Sequence, residues 1–234
     1  MTQKFFDFVN SALAILVSEM KTMKIIFLVF LSVIGVNAFA QEREFPDYRS
    51  KKDNFMRIQE KDIRNDLASF AFGGMDESIG KGKLPTIPAT KYGPDFISFN
   101  GGDIHVTIKS GAFDESAHKY TYYNKEHLVK IDSKPFYGSY DELPETMIQS
   151  VVVIVNKDTV PIPVTAYNDL FNPEFTYTDK GGVVKSYNAV YLSPDKKTFY
   201  IYMLNRKPKA NYEVTWVIRD KQYMRRVVDF GFLK

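Results

Sequence analysis

The chain has 234 residues, 31 basic against 28 acidic side chains, 44% hydrophobic residues, 15% aromatics and no cysteine. The absence of Cys excludes a disulfide framework, a thiolate metal site and a lipid anchor on an N-terminal cysteine, so the fold must rest on burial of its Phe, Tyr, Val and Ile side chains. A net charge of +3 does not point to nucleic acid as a partner.

The most specific signal comes early. Lys21 and Lys24 precede an unbroken apolar run from Ile25 to Val36, and Ala38-Phe39-Ala40 places small residues just before Gln41. This is the pattern of a secretory signal peptide with its cleavage site. The run is shorter than the roughly 20 apolar residues a membrane-spanning helix needs, and no basic stop-transfer cluster follows it. Residues 1–40 are therefore expected to be removed. What remains is expected to be exported, whether periplasmic, cell-surface or extracellular, without spanning the membrane and without being a lipoprotein. Residues 1–22 carry a second, weaker apolar patch, and a start at Met23 or Met20 gives a more compact signal than one at Met1. Residues 41–234 suffice for one good-sized core.

From Asp53 to Phe72 the apolar spacing is helical: Phe55, Ile58, Ile63, Leu67 and Phe70 fall on one side, and Arg57, Glu60, Lys61, Arg64 and Asn65 on the other. Ser50 and Asp53 suit its start, and Gly73-Gly74 its stop. This amphipathic helix is expected to cover a sheet. Residues 80–94, with Pro85, Pro88 and Pro94 among glycines, read as a loop or extended arm. Gly80-Lys81-Gly82-Lys83 is no phosphate loop, because Leu84-Pro85 follows it where a helix would be needed.

Strand signals then follow at short intervals. Phe96–Phe99 and Ile104–Lys109 form a hairpin about Asn100-Gly101-Gly102-Asp103, with Ile104, Val106 and Ile108 inward and His105, Thr107 and Lys109 outward. Further strands are expected at 120–123, 128–131, 151–155, 160–164, 175–178, 183–187 and 189–192. The all-apolar run Val151–Val155 predicts a central strand buried on both faces, while Pro161 and Pro163 push their strand to an edge. The chain ends in a meander of Thr198–Leu204, Tyr212–Ile218 and Tyr223–Phe230. The expected fold is mainly β, an antiparallel β-sandwich of about ten strands with one N-terminal amphipathic helix packed on it. Residues 41–94 supply the helix and arm, and 95–234 the sandwich, as one domain.

No catalytic motif stands out. His105, His118 and His127 lack metal-ligand spacing, and Ser116 with Lys119, like Ser193 with Lys196, sits in a loop or turn where an acyl-enzyme pair needs a helix start. The carboxylates of Asp114, Glu115, Asp141, Glu142 and Glu145 could act as an acid/base pair only by converging in the fold. No cofactor or metal is expected. Two readings stay open: a non-catalytic binding or structural module of the cell envelope, and a secreted glycan-acting hydrolase.

The meander suggests where a ligand would sit. With a two-residue turn before Tyr223, Trp216 lies opposite Arg225; with a three-residue turn it lies opposite Arg226, which also brings Met224, Val228 and Phe230 onto the core face and is preferred. The other face then shows Tyr200, Tyr202 and Arg225 beside a hairpin tip carrying Arg206, Lys207 and Lys209. If open to solvent, these six residues make a platform on which an anionic glycan or lipid headgroup could stack and pair. If a second layer covers the tyrosines, they are core.

Overall fold

The computed structural model describes residues 58–71, 83–139, 142–207 and 210–230. The signal-peptide segment, the proposed helix start and Gly73-Gly74 lie outside them. Helix α1 is Lys61–Phe70. The strands of the main sheet are β1 (Thr86–Tyr92), β2 (Phe96–Gly101), β3 (Ile104–Ala112), β6 (Thr146–Val155), β7 (Asp158–Val160), β10 (Ala189–Leu192), β11 (Thr198–Asn205), β12 (Tyr212–Arg219) and β13 (Gln222–Phe230). Two small hairpins, β4 (Tyr120–Tyr123) with β5 (His127–Ile131) and β8 (Tyr177–Thr178) with β9 (Val184–Lys185), stand apart from it.

The nine strands pair antiparallel in the order β13-β12-β11-β10-β1-β2-β3-β6-β7, and the sheet curls into a nearly closed, barrel-like sandwich. One hydrophobic cluster draws Phe99, Ile108 and Val153 from one half together with Ile201, Met203 and Trp216 from the other, as expected when two sheet faces enclose a shared core. Among the described residues, the mainly-β architecture with one helix is as the sequence predicts.

The corner of the sandwich is β1, which the sequence places in a loop or extended arm and not in the sheet. Thr86–Pro88 pair with β10 and Ala89–Tyr92 with β2, with a bulge between Ala89 and Lys91. Proline disfavours a central strand because it lacks a ladder donor. Here Pro88 sits where the strand changes partners, so neither neighbour requires continuous bonding through it. Strand β6 also departs from expectation. Val151 and Val153 are buried, but Val152 is 42% exposed, because β6 has a core on one side only. β7 holds the edge position that Pro161 and Pro163 predict, but the strand expected over 160–164 is not there: β7 spans Asp158–Val160 and stops directly before Pro161, whose missing N–H ends the ladder, and Val164–Ala166 form a 3-10 turn.

The segment after β7 runs across the inner side of β12 and β13. Ala166, Tyr167 and Leu170 join the core, the Trp216 indole Nε1 donates to the Ala166 carbonyl (2.8 Å), and Arg226 donates to both Asp169 carboxylate oxygens (2.5 and 2.7 Å). Lys221, in the β12–β13 turn, bonds to Asp158 at the start of β7 (2.9 Å), joining the two ends of the strand order through side chains.

Trp216 does lie opposite Arg226, by a route between the two turns considered. The turn is the two-residue Asp220-Lys221, both at positive φ (50° and 60°), as a type I′ hairpin requires. A bulge then skips Met224, so Tyr223 faces Ile218, and Val228 and Phe230 face Val214 and Tyr212. Met224 is exposed, not inward as expected.

Gly101 marks a close approach of β2 to β1. A Cβ there would lie 2.7 Å from the buried Ile87 side chain, whereas at Gly111 it would meet only the Gln149 side chain. Gly101→Ala is therefore expected to cost about 1–3 kcal/mol by overpacking, and Gly111→Ala less, because Gln149 can swing aside. Urea denaturation of the two variants gives the order.

Candidate ligand-binding site

The outward face of the meander is covered. Helix α1 lies over it, and its Ile63 and Leu67 pack with Tyr200 and Val217 in a second buried cluster. Phe70 stacks on Tyr191 (centroids 4.0 Å apart, 8° between planes) and presents an edge contact to Tyr202 at 5.6 Å. Polar bonds fasten the same helix. The Tyr200 hydroxyl (2.8 Å) and the Ser193 hydroxyl (2.6 Å) donate to Asp66, Arg225 donates to Glu60 (2.7 Å), and Arg219 donates to Asp62. Burial, then the bond to Asp66, raises the Tyr200 hydroxyl pKa well above its ordinary value.

Tyr200 is thus 0% exposed and Tyr202 3%, so the platform expected from the sequence is not open as a unit. The physical reason is the apolar area at stake: every residue of β11 is buried, and three tyrosine rings beside Val217 gain more from a covering helix than from water. Glu60, expected on the solvent side of the helix, instead turns to the sheet to meet Arg225.

The cationic end of the platform has a different tyrosine. Arg206, exposed just past the end of β11, holds its guanidinium 4.7 Å from the centre of the Tyr187 ring. Tyr187 in turn stacks on Tyr177 (4.1 Å, 9°), both half-buried. The two tyrosines meet because Tyr177 pairs with Lys185 across β8–β9, which leaves Tyr187 as a diagonal neighbour. The hydrogen bond with Tyr187 is the main cause of the raised Tyr177 hydroxyl pKa. The Arg206 amide also donates to Glu174 (3.2 Å), and Lys207 is exposed beside it. Lys209 lies outside the described residues. Of the six residues singled out in the sequence, Arg206 and Lys207 stand together in solvent, while Tyr200, Tyr202 and Arg225 lie under α1. Nothing local in the sequence reveals Tyr187 and Tyr177 as the partners of Arg206, since the stack depends on a hairpin register.

Of the carboxylates named above, Asp114 is engaged locally and Asp141 lies outside the described residues. Asp114 accepts from the Ser116 amide (3.0 Å) and hydroxyl (2.7 Å). A different pair does meet: Glu213 and Asp229 lie opposite each other across β12–β13, both buried, with the Tyr202 hydroxyl donating to Glu213 (2.7 Å). Among the described residues, no group of three or more His, Asp or Glu is placed to hold a metal ion, and no helix is long and apolar enough to cross a membrane.

Two histidines form local pairs. His105 Nδ1 bonds Asn100 (2.7 Å), and His118 Nδ1 bonds Asp132 (2.7 Å), whose other oxygen accepts the Lys119 amide (2.9 Å). The Lys119 amide first, and then His118, hold the Asp132 carboxyl below its ordinary value. A folded-state pKa below the unfolded one adds stability above the ordinary carboxylate range and loses it as pH falls through the folded value. The Lys119 amide chemical shift should therefore titrate below about pH 4, and Asp132→Asn should flatten that titration.

Set beside known protein families, curated proteins and solved structures, this chain matches none of them, so any function must be argued from the geometry above.

Proposed function

We propose that the chain is an exported, non-catalytic binding or structural module of the cell envelope, and that it takes an anionic glycan or lipid headgroup at the corner formed by Tyr187, Arg206 and Lys207. The observation that carries this reading is the Arg206 guanidinium held over a ring that is itself stacked. Stacking fixes a flexible cation in place before any ligand arrives, which lowers the ordering cost of pairing it with a carboxylate or phosphate. Lys207 adds a second positive charge at the same edge.

The test titrates an acidic polysaccharide and, separately, anionic-lipid vesicles against the wild type and an Arg206→Ala/Tyr187→Ala variant at two salt concentrations. The variant is expected to bind about tenfold more weakly, with the difference shrinking as salt rises. The vesicle arm separates a headgroup from a glycan. Equal binding by both proteins removes the site. The export part of the reading is tested by the intact mass of the secreted species, expected to begin at Gln41.

A further inference from the structure

Along α1 the residues that meet the sheet recur every four positions: Asp62, Asp66 and Phe70 on one line, Ile63 and Leu67 on the next. Each acid finds a donor on the sheet side, Arg219 for Asp62 and Tyr200 with Ser193 for Asp66, and the N-cap residue Glu60, two positions before Asp62, finds Arg225. The face therefore reads charge as well as apolar shape, in a fixed spacing. The helix does not fill it. A cleft of about 350 Å³ remains at the Phe70 end, lined by Leu84, Thr86 and Tyr191, and another of about 230 Å³ lies beside Asp62 and Asp66 against Ser193, Pro194 and Asp195. Apart from these clefts, at the Glu60 end of the helix, Arg225 Nε and Glu60 Oε2 are buried without hydrogen-bond partners. The helix itself has ten residues, no side-chain bond at its N-cap and no basic residue in its last turn, so its own stability is marginal and depends on the seat.

We infer that the outer face of β10–β13 is a docking seat for an acidic amphipathic helix of a partner protein, occupied in this structure by α1 as an in-chain competitor. The partner helix carries the same pattern, acids and apolar residues four apart ending in an aromatic. It is longer than α1, so that it fills the two clefts and gives Arg225 Nε an acceptor. Charge complementarity selects it: Arg219 and Arg225 lie on the sheet, and Glu60, Asp62 and Asp66 on the resident helix. The seat is separate from the Tyr187–Arg206 corner and does not depend on it.

A tethered helix faces its seat at an effective concentration on the order of millimolar, so a free copy of the same helix competes poorly until the resident one is weakened. The probe is a fluorescent peptide of the sequence Ile58 to Ala71, titrated against the full chain. Leu67→Ala removes the central apolar contact of α1 and is expected to tighten peptide binding by about tenfold or more relative to wild type. Adding Arg219→Ala and Arg225→Ala to that variant is expected to abolish the gain. Should Leu67→Ala fail to fold, as judged by the emission of the only tryptophan, Ala68→Gly weakens the helix more mildly, through propensity and the loss of one methyl at the edge of the same cluster, and should give the same order. Peptide binding no tighter than wild type in a folded variant, or indifferent to the two arginines, overturns the inference. A dimer that forms with rising concentration and is lost with the arginines assigns the seat to α1 of a second copy and overturns the partner assignment.

Discussion

Replacing Trp216 with alanine is expected to lower the stability of the fold by about 3–5 kcal/mol, among the largest effects of any single substitution. The indole is 0% exposed and lies between Ile201 and Arg226 on the neighbouring strands. Its Nε1 is also the donor to the Ala166 carbonyl, which truncation would leave without this bond. For a chain of this size about 1 kcal/mol corresponds to roughly 2–4 °C, so the melting temperature should fall by roughly 10 °C or more. Trp216→Phe keeps most of the apolar volume but loses the donor, and should cost less than the alanine variant. Far-UV circular dichroism is the appropriate readout, because both changes remove the only tryptophan. An alanine variant as stable as wild type would mean that the segment carrying Ala166 is not held by this ring.

Asp169→Ala should have a comparable effect for an electrostatic reason. The Arg226 side chain is 3% exposed, and its two terminal nitrogens each bond one oxygen of Asp169. Removing one partner of a buried pair typically costs about 3–5 kcal/mol, because the remaining charge loses a bidentate carboxylate inside a low-dielectric environment. The guanidinium also lies 5.8 Å from the centre of the Tyr137 ring, too weak a contact to replace a carboxylate. Asp169→Asn should fall between alanine and wild type in urea denaturation. Combining Asp169→Ala with Trp216→Ala should cost less than the sum, since both substitutions release the same stretch of chain. Full additivity would show that Ala166 and Asp169 are fastened independently.

These two anchors illustrate what could be read in the sequence. Alternation along Tyr212–Ile218 identifies the core face of the meander, and the partner of Trp216 is correctly Arg226, although the turn and bulge that produce this register are not visible in it. The carboxylate that Arg226 meets is 57 residues away and carries no local signal. Helical spacing identifies Ile63 and Leu67 as the buried stripe, but the position of Glu60 reflects a sheet arginine that no periodicity contains. An unbroken valine run resembles a doubly buried strand. Val152 faces solvent nonetheless, because burial is decided by what lies across the sheet. For the candidate site, Arg206 and Lys207 were legible as exposed basic residues at a strand end. Tyr200 and Tyr202 were legible as one face, and the helix that covers them was legible too, but not that the two would meet.

The division of β1 between two neighbours has a kinetic consequence. Its pairing with β2 closes a short loop, and β10 to β13 likewise join through successive nearby turns, whereas Pro88 and Ala189 must meet across roughly a hundred residues. The two halves can therefore assemble early and separately, while the β1–β10 ladder, which brings no more than three residue pairs to repay that closure, forms late and opens first. In native-state hydrogen exchange, the amides of β11 and β12 should remain protected under conditions in which those bonding β1 to β10 have already exchanged.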